Sequence, residues 1–276
     1  MTLGYLDLVI QTVRGRSPIP EFRELNVDRS KLAKDYFDEL YVKFGGRETG
    51  HSVLDMVLQG DAGVLEFLWN KTAPSSLTMC GDKSIAQLLE ALRTIEAEEI
   101  QGDLIEAGVW RGGLPIIMRA FLHSVGNVDR KVWIADSFRG LPGDLEDGDD
   151  KAAHLLLAPI LHLSVNRKQV EDALDFFGLR DPQVEFLEGW FKDTLPKLPA
   201  EKLALVRLDG DYFESTRDSL ENLYPKLSPG GYLIVDDYNL PLGCRRAVDE
   251  YRERNGITEP LVEINSQAVY WRKAAK

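Results

Sequence analysis

Two stretches near the start of the chain show helical periodicity. Leu32, Tyr36, Leu40 and Phe44 recur at every fourth position, one face of an amphipathic helix. Val53, Met56, Val57, Val64, Phe67 and Leu68 mark a second, with Gly60 and Gly63 as breaks. From about residue 82 the pattern alternates between two periods. Helices are predicted over Ser84–Ala97, Leu114–Ser124, Gln169–Phe177, Ser215–Tyr224 and Arg245–Arg254. Between them lie the strands DLIEAG (103–108), VWIAD (132–136), VEFLEG (184–189), LALVRLD (203–209) and YLIVDD (232–237). LALVRLD is a near-continuous apolar run of the kind buried on both faces of a parallel sheet. SPGG (228–231) reads as a turn, and the Gly- and Asp-rich opening of 141–165 as a surface excursion. LVEI (261–264) and AVYWR (268–272) close the chain as an antiparallel pair. The alternation predicts an α/β fold: a doubly wound, Rossmann-like seven-stranded sheet with ligands at the carboxyl ends of its strands. Residues 1–75 are expected to form a helical lid or a homo-oligomer interface, and residues 76–276 the α/β domain.

Composition narrows the partners. The chain has 276 residues with 33 basic and 45 acidic side chains, a net charge of −12. So acidic a chain has no general affinity for phosphate backbones or anionic membranes, which sets nucleic acid and membrane aside. Cys80 and Cys244 show no metal-ligand spacing and no disulfide framework. The N-terminal apolar stretch is short and interrupted by Asp7, so neither a signal peptide nor a membrane span is read there. A cytoplasmic location is expected.

Three strand ends carry candidate chemistry. Glu106-Ala107-Gly108-Val109-Trp110-Arg111-Gly112-Gly113 joins a strand to a helix, and its glycines let the backbone turn sharply and approach a ligand. It fits neither the dinucleotide spacing nor a P-loop. An acidic residue such as Glu106 suits a cationic sulfonium cofactor. Asp136, ending the second strand before Ser137, Phe138 and Gly140, can accept both hydroxyls of a ribose. Its bland alternative is a helix cap, and the preceding motif favours the ribose. Asp209 and Asp211 of LDGD, with Asp236 and Asp237 of VDDYN, fall near the ends of neighbouring strands. Carboxylates gathered at one point repel unless protonated, hydrated or bound to a cation. Oxygen ligands without His or Cys suit Mg²⁺ or another hard divalent cation.

The segments TMCGD (78–82), DLIEAGVWRGG (103–113), WIADSFRGLP (133–142), LEGWFKDTLP (187–196), RLDGDYFEST (207–216) and LSPGGYLIVDDYN (227–239) together resemble the macrocin O-methyltransferase (TylF-like) family. Its members methylate sugar hydroxyls, typically on antibiotics, and its core is that of a class I methyltransferase. The resemblance implies an S-adenosylmethionine-dependent, Mg²⁺-dependent O-methyltransferase acting on a small glycosylated natural product. It implies cofactor contacts from Thr78 and Met79, from Glu106, Ala107, Gly108, Val109 and Trp110 around the methionine part, and from Asp136 to the ribose. Ser137, Phe138 and Gly140 would lie beside the adenosine, with Gly189 and Trp190 on the adenine side. Asp209, Asp236 and Asp237 would hold the metal. Asp209 is the expected general base, with Asp211 as runner-up. Tyr212, Phe213, Tyr238 and Trp190 are candidates for stacking on the acceptor. The alternatives are an NAD-dependent sugar-modifying enzyme, disfavoured by the missing G-x-G-x-x-G, and a non-catalytic scaffold, disfavoured by the retained aspartates.

Overall fold

The computed structural model describes residues 4–15, 76–148, 150, 151, 154, 163–240 and 242–274. Its strands are β1 (Asp103–Ala107), β2 (Val132–Asp136), β3 (Val184–Glu188), β4 (Leu203–Leu208), β5 (Leu227–Val235), β6 (Val262–Glu263) and β7 (Val269–Arg272). They form one seven-stranded sheet in the order β3-β2-β1-β4-β5-β7-β6. β1 to β5 pair in parallel, and β7 pairs antiparallel with both β5 and β6. The expected doubly wound sheet is therefore observed. The described helices are α1 (Tyr5–Val13), α2 (Asp82–Ala97), α3 (Gly113–Val125), α4 (Arg167–Phe176), the short α5 (Phe191–Thr194), α6 (Phe213–Leu223) and α7 (Cys244–Arg254).

Side-chain alternation along the strands divides the core. Leu104, Ile134, Leu205 and Ile234 meet Leu88, Leu92, Ile116 and Ile117 of α2 and α3 on one face. Ile105, Ala107, Val206, Leu208 and Val235 meet Leu220 of α6 and Val248 of α7 on the other. Each such Leu, Ile or Val stabilises the fold by about 1.5–3 kcal/mol relative to exposure. All six positions of β4 are buried, as its apolar run requires. The chain winds from β1 outward through β2 to β3, then returns to β4 on the other side of β1. That reversal opens a crevice at the carboxyl ends of β1 and β4, where open α/β sheets bind ligands.

Three local features have physical causes. Residues 228–231 are not a free turn: Leu227 pairs with Leu203 and Tyr232 with Leu205, so SPGG bulges within β5 against the single Ala204. The bulge is held by Gly230 N–H to Lys273 O at 2.8 Å and Lys273 N–H to Gly231 O at 2.9 Å. α1 falls inside residues 1–75, and its Val9 and Val13 belong to the α2–α3 core. Leu77 N–H donates to Val13 O at 2.8 Å, joining α1 to the chain before α2. In the excursion after β2, expected at the surface, Leu145 and Asp150 are buried. The amphipathic stretches at 32–44 and 53–68 lie outside the described residues. Among those described, no helix is long and apolar enough to cross a membrane.

Candidate active site

The turn after β1 is shaped by how closely β4 approaches it. Gly108 adopts φ 91°, and a Cβ there would sit 1.8 Å from the carbonyl oxygen of Asp209. Gly113 N–H donates to Leu77 O at 3.0 Å, and Arg111 donates to Ser76 O at 2.8 Å. These bonds hold residues 76–80 over the turn. There Thr78 is buried, and its hydroxyl accepts from Cys80 N–H at 3.1 Å. Trp110, Phe138 and Asp211 have positive φ values of 46°, 54° and 59°. They follow β1, β2 and β4 respectively, the kind of strained backbone that concentrates at functional sites.

Asp136 ties the first two turns together. One carboxylate oxygen accepts from Val109 N–H at 2.9 Å and the other from Phe138 N–H at 2.7 Å. Burial pushes this carboxyl up, against the downward pull of the backbone donors. Neither donor begins a helix, so Asp136 caps none and instead fixes the turns after β1 and β2 against each other. Ser137 Oγ donates to Gly140 O at 3.0 Å.

A cleft of about 240 Å³ opens between these turns. Met79, Gly108, Trp110, Asp136, Ser137 and Gly140 line it, with Gly189, Trp190, Asp209 and Asp211 opposite. Thr78, Glu106, Val109 and Asp236 line an adjoining cavity of about 30 Å³ that shares Met79, Trp110 and Asp209 with the cleft. The indole N–H of Trp110 is buried without a protein partner. Ala107 and Phe138 do not line either space: Ala107 packs in the α6–α7 core, and Phe138 packs in the α2–α3 core against Phe186. Of the candidate acceptor aromatics, Trp190 lines the cleft. Tyr212 and Tyr238 are core residues, 2% and 6% exposed, and Phe213 stacks under Arg246 at 4.4 Å.

The acidic cluster has a cation at its centre that sequence reading missed. Arg207 is 2% exposed and ion-paired to equally buried Glu106. The same guanidinium reaches Asp209 at 2.7 Å and Asp236 at 2.6 Å, and donates to Cys80 Sγ at 3.1 Å. Its signal was present: an arginine inside an apolar strand needs a buried partner, and Glu106 lies directly opposite in the β1–β4 register. Asp209, Asp236 and Asp237 bring carboxylate oxygens within 4.8 Å of one another. Asp237 also accepts from Asp211 N–H at 3.0 Å. One guanidinium does not balance four carboxylates. Burial, opposed by Arg207, pushes Glu106 up to about 8 and Asp209 up to about 6. Burial and the neighbouring aspartates hold Asp237 well above the usual carboxylate range. The four carboxyls resist ionising together beside one guanidinium, and a cation bound in the cleft would relieve that repulsion.

The chain is similar to known O-methyltransferases. A family model for macrocin O-methyltransferase (TylF) matches residues 68–273. The 8-demethyl-8-(2,3-dimethoxy-alpha-L-rhamnosyl)-tetracenomycin-C 4'-O-methyltransferase of Streptomyces olivaceus is 48% identical over 204 residues, covering 72% of this chain and 76% of its own. The demethyldecarbamoylnovobiocin O-methyltransferase of Streptomyces niveus is 45% identical over 204 residues, covering 71% and 75%. The solved structure of the O-methyltransferase NovP superposes with a TM-score of 0.70 at 44% identity, covering 72% of this chain and 83% of that one.

Proposed function

The chain belongs to the TylF macrocin O-methyltransferase family, and from that premise we propose that it methylates a sugar hydroxyl of a glycosylated natural product in antibiotic biosynthesis. Family membership sets aside the NAD-dependent alternative, and the intact acidic cluster speaks against a scaffold. The relatives act, by name, on a rhamnosyl-tetracenomycin, on mycinamicin III and on a novobiocin precursor. A small glycosylated acceptor is the class they share.

The observation that carries the reading is the glycine turn at Gly108 lying against Asp209, beside the Arg207-centred carboxylates. S-adenosylmethionine brings a sulfonium and an ammonium group, and the carboxylates fit both charges. Glu106 Oε2 is buried without a protein partner, a suitable acceptor for the cofactor's ammonium group. Asp136 would hold the ribose, with Ser137, Gly140, Gly189 and Trp190 along the adenosine. The donor set also fits a hard cation. Asp209 and Asp236 each give one oxygen to Arg207, and Asp237 gives one to Asp211 N–H. This leaves a second oxygen on each for Mg²⁺. When bound, the cation would acidify and orient the acceptor hydroxyl.

Asp209 would accept the proton of that hydroxyl, and S-adenosylmethionine, when bound, would supply the methyl group, its carbon–sulfur bond breaking as the new C–O bond forms. Asp211 is a second reading for the proton acceptor. Its left-handed backbone sets it in the cleft wall beside Asp209. Residues 1–75 would complete the site as a lid or oligomer contact. Titration calorimetry with S-adenosylhomocysteine and Mg²⁺, paired with turnover, tests the assignment. Asp209→Asn should lower turnover by about 10²–10⁴-fold while S-adenosylhomocysteine still binds. Near-normal turnover, or lost cofactor binding, would count against it. A larger loss in Asp211→Asn, with Mg²⁺ affinity kept, would make Asp211 the base.

A further inference from the structure

Asp150 is a fully buried carboxylate that no step above uses. One oxygen accepts from Phe213 N–H at 2.6 Å and the other from Gly243 N–H at 2.8 Å. Phe213 is the first residue of α6, and Gly243 is the residue before α7. Neither helix receives a capping bond from its own N-cap side chain. One aspartate from the excursion after β2 therefore caps both, meeting their unpaired N–H groups and the positive ends of their dipoles.

These two helix starts are the exits of the two metal-bearing turns. Asp209 and Asp211 lie in the turn that ends at Phe213. Asp236 and Asp237 open the loop that ends at Gly243, where Leu240 N–H donates back to Asp237 O at 3.1 Å. The turns touch at their start through Asp211 N–H and Asp237, and Asp150 joins them at their far ends. The fit is tight: a Cβ on Gly243 would come within 2.7 Å of the Asp150 carboxylate and 2.5 Å of Phe213 Cβ. Glu214 returns the exchange, accepting from Glu146 and Asp147 N–H, each at 2.9 Å.

We propose that Asp150 is a positioning residue that sets the separation of the Asp209 turn from the Asp236–Asp237 turn, and so the affinity of the site for its divalent cation. The inference rests on the metal reading given above. Its test uses the full-length, chelator-stripped protein, with Mn²⁺ as the probe and S-adenosylhomocysteine titrated separately by calorimetry. Asp150→Ala and Gly243→Ala should each weaken Mn²⁺ binding by about 10–100-fold, the usual effect of losing a group that orients metal ligands. S-adenosylhomocysteine affinity should stay near the wild-type value. Asp150→Asn, which keeps one acceptor, should fall between. Lys168→Ala removes an exposed ion pair with Asp172 on α4, away from the clamp, and should change neither affinity. If Asp150→Ala does not fold, Gly243→Ala and Asp150→Asn carry the test. Unchanged Mn²⁺ affinity in the variants, or equal loss of both ligands, overturns the proposal. Wild-type protein that takes up no Mn²⁺ overturns the metal reading and this inference together.

Discussion

Replacing Arg207 with Met removes the guanidinium that ties Glu106, Asp209 and Asp236 while keeping most of the side chain's bulk. Losing one partner of a buried ion pair costs about 3–5 kcal/mol, because the other charge is left uncompensated. Arg207 and Glu106 are each 2% exposed, so their pair bears this cost. Asp209 at 28% and Asp236 at 17% have water to turn to and add less. A loss of up to about 4 kcal/mol follows above about pH 8, where Glu106 is ionised beside Arg207, a fall in melting temperature of roughly 8–16 °C for a chain of this size. The pH dependence separates electrostatics from packing. Burial pushes Glu106 up to about 8 even beside Arg207, and without the guanidinium it rises further. A carboxyl with a raised pKa favours the fold while protonated and withdraws that support as pH rises through the folded value. The variant's deficit should therefore be level below about pH 5, where Glu106 and Asp209 are protonated in both folded proteins. It should grow toward about pH 10 as wild-type Asp209 and then Glu106 ionise beside Arg207 through about 6 and about 8 while the variant's stay protonated. Thermal unfolding followed by circular dichroism across that range measures it. A deficit of constant size from about pH 5 to about pH 10 would refute the account and assign the loss to packing.

Two further outcomes follow from the same geometry. Gly108→Ala forces a Cβ to within 1.8 Å of Asp209 O, so the β1 and β4 turns must separate. Turnover should fall about a hundredfold or more, as for a displacement of about 1 Å at a reacting centre, and wild-type kinetics would show that the turns do not meet as described. Glu106→Gln keeps the shape but removes the charge. Wild-type stability from Glu106 is lost as pH climbs from about 4.5 through about 8, so the variant should gain on wild type in melting temperature over that span. A gap that stays flat or narrows would contradict the upward shift.

Much of the sheet was legible because its strands announce themselves. LALVRL is buried throughout, and VWIAD and DLIEA are buried at four of five positions each. Runs of this kind between helical periods leave few alternatives to a parallel sheet. The acidic cluster was legible because four aspartates at two strand ends require some compensation. What compensates them was not. Arg207 reads along the chain as one polar interruption of an apolar strand, and its partners lie on other strands, 101 residues away in the case of Glu106. Asp150 was invisible for a similar reason: in DLEDGDD it is one carboxylate among several, and burial against two helix starts comes from tertiary packing. α1 carried too short an apolar face to stand out before its contact with α3 was known. The SPGG bulge looks like a turn because Gly and Pro mark both.

The site follows from strand register and alternation taken together. Phe186, Ile134, Glu106, Arg207, Ile234 and Tyr270 are successive partners in one row across the sheet. The row is apolar except at its centre, where the β1–β4 reversal puts a carboxylate beside a guanidinium. Residues two apart on a strand share a face. Asp136, Asp209 and Asp236, each two positions beyond this row, therefore emerge on the Glu106 side at the carboxyl edge. Asp237, one position further, turns to the other face, and its thiol neighbour Cys244 at the start of α7 packs in that face's core. The proposed metal triad thus straddles the sheet, with Asp209 and Asp236 anchored by Arg207 on one side and Asp237 by the Asp211 backbone on the other. An insertion of one residue in β4 or β5 would exchange the faces and dismantle the site while leaving composition and hydropathy almost unchanged. The chemistry is therefore specified by the phase of the alternation at the strand ends, more than by the number of acidic residues present.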